Sequence, residues 1–319
     1  MPDRRRVMID TDTGSDDAVA LVMALRDPTL EVVAISTIAG NVDLDKATIN
    51  ALTTCDYAGT YLPPVYSGAG KPMAAELVDA GGVHGKDGMG DLGTLRWSTR
   101  KPEAETGPAA IAEWCSRGVE LICLGPLTNV AVAMTKDPDK MKNCPHITIM
   151  GGQVRNGNVG QVAEFNIWQD PEAADIVFGF GVPMTVLPIE ACFGDARVME
   201  DEVEEWRRTG TEWGRFCADI NGVLMSVVSK GQKEKYITMP DPTAVAVVAR
   251  PDLVKKSFGS YTRVETRGTI TRGALVNDRR NEHSFEALSK ETVLHPYNCT
   301  IVEEIDGRGF KDYILSMLS

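Results

Sequence analysis

Residues Val7–Leu25 read "VMIDTDTGSDDAVALVMAL". An apolar run breaks into four aspartates, Asp10, Asp12, Asp16 and Asp17, within eight residues. A second apolar run follows at helical spacing. The spacing predicts a buried strand over "RRVMID" and a helix over "SDDAVALVMALRD". Strand, short turn and helix begin a βαβ unit. Four like charges this close repel one another, so something must compensate them.

The same alternation continues along the chain. Strands are expected at "EVVAISTIAG", "PVYSGA", "VELICLG", "HITIMGG" and "MTVLPIE". Helices are expected between them at "DLDKATINALTTCDYAG", "TGPAAIAEWCSRG", "PLTNVAVAMTKDP" and "DPEAADIVFGFG". Continuous apolar strands between helices of this length imply a parallel sheet covered on both faces. The last third differs. "DEVEEWRRTGTEWGRFCADINGVLMSVVSKG" is helical with breaks, and "DPTAVAVVARPDLV" is a helix flanked by prolines. "FGSYTRVETRG" and "TIVEEID" read as strands of a smaller appended layer. There is no repeat and no Pro/Ser-rich linker. The expected fold is α/β: a doubly wound, mostly parallel, Rossmann-like open sheet with a small C-terminal α+β addition, one domain over 1–319.

Composition narrows the function. A net charge of −12 argues against nucleic acid or an anionic membrane as partner. Seven cysteines stand singly, without a CxxC pair, which suits reduced thiols in a cytoplasmic protein. The basic start "MPDRRRVMID" has too short an apolar run for a signal peptide, and no 18-residue apolar stretch exists to cross a membrane.

Ligands of open parallel sheets bind beyond the carboxyl ends of the strands. Here those ends carry "IDTDTGSDD", "IAGN", "CLGPLTN", "MGG" and "PIE". Helix capping and a solvated face account for one or two of the four aspartates. Dense carboxylate oxygen is what a hard cation such as Ca²⁺ or Mg²⁺ requires. A strand ending in "DTDT" also resembles the haloacid-dehalogenase phosphatases, with Asp10 as nucleophile. Their late metal motif is matched only by "GDARVME", where Met199 stands in place of an aspartate.

The whole chain more closely resembles the nucleoside hydrolases. Their "DxDxxxDD" signature is followed in order by "IAGN", "VHGKDGMG", "GPLTNVA", "IMGG", "GNVGQVAEFNIWQDPEAA" and "MPDPTAVAVV". The resemblance implies Ca²⁺ held by Asp12, Asp17, Asp241 and the backbone carbonyl of Leu124. It implies Asp12 as general base on the attacking water. Asp16, Asn158, Glu164 and Asn166 would hold ribose hydroxyls, with Asn41 close by, and Asp10 would support them from behind. A ribonucleoside would be cleaved to ribose and free base. A homodimer or homotetramer is expected on the same ground. Residue chemistry agrees: Asp, Glu and Asn suit a polyol, and carboxylates stabilise the positive charge that grows on the sugar.

One departure concerns the leaving base. Family members carry histidine or tryptophan just before the late calcium aspartate, where this chain has Pro240, and a histidine near the position of Phe193. His84 and Tyr236 are the candidates left for the base side, with a water chain as the alternative; His84 in its Gly-rich loop also has a purely structural reading. Trp168 has two readings, a face toward the base and packing, with packing preferred; Cys123 reads as a buried thiol of its strand. "GMGDLG" and "SGAGK" are weak nucleotide-binding matches without the flanking elements. A non-catalytic, calcium-dependent nucleoside binder is the further alternative.

Overall fold

The computed structural model describes residues 4–280 and 294–319. Its strands are β1 (Arg5–Thr11), β2 (Leu30–Thr37), β3 (Val65–Ser67), β4 (Glu120–Cys123), β5 (Ile147–Met150), β6 (Met184–Leu187), β7 (Val198–Met199), β8 (Tyr236–Ile237), β9 (Val254–Val264), β10 (Leu275–Asp278) and β11 (Cys299–Ile305). Nine of them form one sheet in the order β10-β9-β11-β6-β5-β4-β1-β2-β3. From β3 across to β11 every neighbouring pair is parallel. Only β9 runs against its neighbours β10 and β11. β7 and β8 make a separate antiparallel ribbon.

The chain lays β1, β2 and β3 outward in one direction, then returns to place β4 on the other side of β1. The sheet therefore reverses its winding between β1 and β4. Their register, Asp10 opposite Cys123, is extended by Leu124 N–H donating to the Asp10 carbonyl at 2.8 Å. The residues just past both strands, Asp12 and Leu124, are thereby delivered to one cleft.

Two helices close on that cleft. Residues Ser15–Leu25 of helix Ser15–Arg26 are all buried, as are Asp241–Val248 of helix Pro240–Ala249. The two pack against each other within one apolar core. Burial on every side explains why neither shows a polar stripe. Pro240 suits the first position of its helix because no intrahelical N–H is needed there.

The C-terminal strands, expected as a smaller layer, continue the central sheet. β11 pairs in parallel with β6, so the antiparallel β9 and β10 are its edge. The long helical stretch divides into Glu200–Arg208, Glu212–Ile220 and Gly222–Val228. β2 ends three residues before the expected Gly40, because Ile38–Asn41 bends over the cleft. Among the described residues no helix is long and apolar enough to cross a membrane.

Candidate active site

The four aspartates have four different environments. Asp10 Oδ1 accepts hydrogen bonds from Ser36 Oγ at 2.6 Å and Asn129 Nδ2 at 2.8 Å. Asn129 also donates to the Thr37 carbonyl and accepts from Ala69 N–H. Asp10 thus ties β1 to β2 and to helix Thr128–Lys136, below the cleft. It does not line the cavity, and its Oδ1 is taken up by the two donors that join these elements, so Asp10 reads as a support for the site and not as the nucleophile of the phosphatase reading.

Asp12 Oδ2 accepts from the Asn41 backbone N–H at 2.7 Å, and its buried Oδ1 has no partner. Its carboxylate sits between two glycines. A Cβ at Gly40 would fall 2.1 Å from Asp12 Oδ2, and one at Gly125 2.8 Å from Oδ1. Gly40→Ala is therefore expected to displace the carboxylate, removing turnover and costing about 1–3 kcal/mol of stability. Paired activity and thermal-melting measurements check this; a fully active variant overturns it.

Asp17 Oδ1 accepts from Thr11 Oγ1 at 2.6 Å, and Oδ2 accepts from Gly14 N–H at 2.9 Å and Asn41 Nδ2 at 3.0 Å. Asp16 Oδ1 and Asp241 Oδ1 are buried without a hydrogen-bond partner. Asp16, Asp17 and Asp241 all lie in the first turns of their helices, where the positive end of each dipole favours them. That field does not offset the burial. Desolvation pushes Asp10, Asp16 and Asp17 up to about 6. Asp12 and Asp241 rise well above the ordinary range, through burial first and then repulsion from their neighbours.

Such a group of buried anions fits a hard cation. Asp16, Asp17 and Asp241 each bring an oxygen to within 4.8 Å of the others. This trio differs from the expected Asp12, Asp17 and Asp241. Asp12 stands beside it with one orphaned oxygen, close enough that its charge raises Asp241.

The opposite wall comes from β5 and the loop after it. Glu164 caps helix Phe165–Gln169, accepting from the N–H groups of Asn166, Gly152 and Ile167. Burial nevertheless raises its carboxyl to about 7. Asn166 Nδ2 donates to the Leu124 carbonyl at 2.8 Å, and Asn158 Oδ1 accepts from Phe165 N–H at 2.9 Å. Glu190, which the sequence shows only as a polar strand end, accepts from the N–H groups of Val154, Arg155 and Asn156 and so anchors the loop that carries Asn158.

These residues enclose a cavity of about 450 Å³, of a size to take a small organic ligand. Asp16, Asn41, Leu124, Asn158, Glu164, Asn166 and Asp241 line it, together with His84. Asp12 and Asp17 stand behind that lining. Phe165, Trp168, Phe193, Leu224, Val227 and Pro240 supply an apolar side. Trp168, expected as packing, is thus at the cavity wall. Tyr236 is not: its ring lies beneath the Arg197 guanidinium, 4.6 Å from the centroid. His84 Nδ1 lies 3.0 Å from Ser15 Oγ, and burial lowers its imidazole to about 4. Cys123 is buried inside β4.

An open parallel sheet with an acidic floor at its switch point and an apolar wall above defines an α/β enzyme for a small ligand with one polar and one apolar half. The family is specific. The inosine-uridine preferring nucleoside hydrolase model matches residues 7–312, and the chain belongs to that family. It is 32% identical to a pyrimidine-specific ribonucleoside hydrolase of Photobacterium profundum, over 99% of each chain. A plant nucleoside hydrolase superposes with a TM-score of 0.91 at 30% identity, over 99% of both chains. A purine-preferring ribonucleoside hydrolase from Gardnerella vaginalis gives 0.88 at 28% identity, over 98% of both. The protein is accordingly an N-glycosyl hydrolase of ribonucleosides.

Proposed function

We propose that the chain hydrolyses ribonucleosides in a calcium-dependent reaction, with Asp12 as the base that takes a proton from the attacking water. The observation that carries this reading is the meeting of Asp16, Asp17 and Asp241, with Asp12 close enough for its charge to act on Asp241 and with orphaned carboxylate oxygens among them.

Asp12, Asp17, Asp241 and the Leu124 carbonyl oxygen would hold the cation. Asp16 lines the cavity, in contact with His84, and is left for the sugar. When bound, Ca²⁺ would neutralise part of the buried charge and make water a stronger acid. The rest is done by the chain. Asp16, Asn158, Glu164 and Asn166 orient the ribose hydroxyls, and Asn41 holds both Asp12 and Asp17. The carboxylates stabilise the positive charge that develops as the C1′–N bond opens. Asp12, with one buried oxygen that no donor of the chain occupies, accepts the proton as water bonds to C1′. Burial under the apolar wall keeps bulk water from this step. The enzyme acts on free nucleosides, as one member of a homo-oligomer in the cytoplasm.

The test is release of ribose and base from paired ribo- and 2′-deoxyribonucleosides in calcium. A site this dense in hydroxyl ligands is expected to favour the ribonucleoside by about a hundredfold or more. Equal turnover of both would remove the sugar-binding roles given to Asp16, Asn158, Glu164 and Asn166.

A further inference from the structure

The base half of the cavity raises a question that the family assignment does not answer. The mouth is apolar: Val78, Val159, Phe193 and Val227 line it and remain 50%, 43%, 40% and 40% exposed. Phe165 and Trp168 add aromatic surface. Among the described residues no lysine or arginine lines the cavity. Its titratable lining groups are Asp16, Asp79, His84, Glu164 and Asp241. Asp16 and Asp241 form the floor, and Glu164 is held by backbone N–H groups. His84 also belongs to the floor, with Nδ1 3.0 Å from Ser15 Oγ and 3.4 Å from Asp16 Oδ1 and its ring against Gly14. Asp79 is an exposed carboxylate that accepts from Gly81 N–H. Among the described residues, nothing at the mouth is built to hand a proton to a departing base.

A neutral purine or pyrimidine departs as an anion unless it is protonated. A ring that carries a fixed positive charge departs as a neutral molecule. We propose that this site is built for ribonucleosides of cationic bases, of the N-ribosylpyridinium or N7-alkylpurinium class. The inference rests on the hydrolase reading and narrows it. Two further observations support it. Phe165, Trp168 and Phe193 line the cavity and place aromatic side chains where a cationic ring would lie. The cavity lining carries Asp16, Asp79, Glu164 and Asp241 and, among the described residues, no lysine or arginine, so no fixed positive charge opposes a cationic ring. The step balances without an acid. The C1′–N bond breaks and its electron pair stays on the ring nitrogen, which becomes neutral. Water oxygen bonds to C1′, and its proton passes to Asp12 and then to solvent. One proton is released per turnover.

The test compares the calcium-loaded enzyme on inosine and 7-methylinosine, on uridine and nicotinamide riboside, and on nitrophenyl riboside, whose leaving group needs no acid. The charged ribosides are expected to exceed the neutral nucleosides in kcat/KM by about a hundredfold or more, with one proton released per ribose in a pH-stat. Phe193→Leu should raise KM for nicotinamide riboside by about fivefold more than for nitrophenyl riboside. Inosine or uridine turned over within a hundredfold of the charged ribosides overturns the inference, and so does an equal KM change for both probes. Failure on every riboside, nitrophenyl riboside included, overturns instead the hydrolase reading beneath it.

Discussion

Asp12→Asn is expected to lower kcat by about a thousandfold, within the range that one general base contributes. The change is nearly isosteric, so the fold should survive it. The asparagine oxygen can still accept from Asn41 N–H, and the side chain still fits between Gly40 and Gly125. What is lost is a charged, proton-accepting oxygen next to the reacting carbon. Without calcium the variant should melt no lower than the parent, because Asp12 is buried and repelled by Asp17 and Asp16. Removing such a charge relieves the folded state. Steady-state kinetics beside thermal melting decide the matter. A variant within tenfold of the parent kcat would sink Asp12 as the base.

Chelation carries the second large effect. Stripping Ca²⁺ is expected to abolish turnover, and its return to restore it. The same treatment should lower the thermal midpoint, since a ligand bound to the folded state at about 100 times its Kd contributes about 2.7 kcal/mol. The size of that shift should depend on pH, with a sign fixed by the carboxyl groups. Burial pushes Asp10, Asp16 and Asp17 up to about 6 in the folded protein, and holds Asp12 and Asp241 well above the usual carboxylate range. In the unfolded chain aspartates titrate near about 3.9. Between those values the metal-free fold binds more protons than the unfolded chain, so each of these groups weakens it as pH rises. A cation replaces the protons and competes with them. Calcium should therefore raise the midpoint little at about pH 5 and progressively more toward about pH 7.5. Surface carboxylates cancel in this difference. A shift that is constant or shrinks with pH would contradict a cation at these aspartates.

Much of this was legible in Val7–Leu25. An apolar strand, an acidic turn and an apolar helix are local patterns, and burial on both faces preserves them. The strand ends that converge on the cleft follow from the sheet rule. Asp241 is different: only the resemblance joined it to a cluster more than two hundred residues away, because nothing local marks a helix start as facing another. Gly40 and Gly125 were opaque for a simpler reason. Their contribution is space, and a sequence shows a glycine without showing what approaches it. Glu190 could be seen as polar but not as the holder of three amides, since those amides lie on a distant loop. The C-terminal strands looked like a separate layer because an antiparallel edge breaks the βαβ rhythm. Helix Gly307–Leu318 went unread, although its buried Phe310, Tyr313, Ile314 and Leu318 fall at helical spacing. Trp168 carried both a packing and a base-facing reading, because a single side chain's direction is not written in the local sequence.

The two helices that bring Asp16, Asp17 and Asp241 together are enclosed by core on all sides. A substitution that re-aimed either carboxylate cluster would have to move that core as well. The mouth is under no such constraint: Phe193 and Val227 are exposed, on a short turn and a short surface helix. A change of side chain at the mouth therefore costs the fold little, whereas the same change at the floor disturbs the core. A relative described as pyrimidine-specific and another described as purine-preferring can in this way both resemble one chain over nearly its whole length.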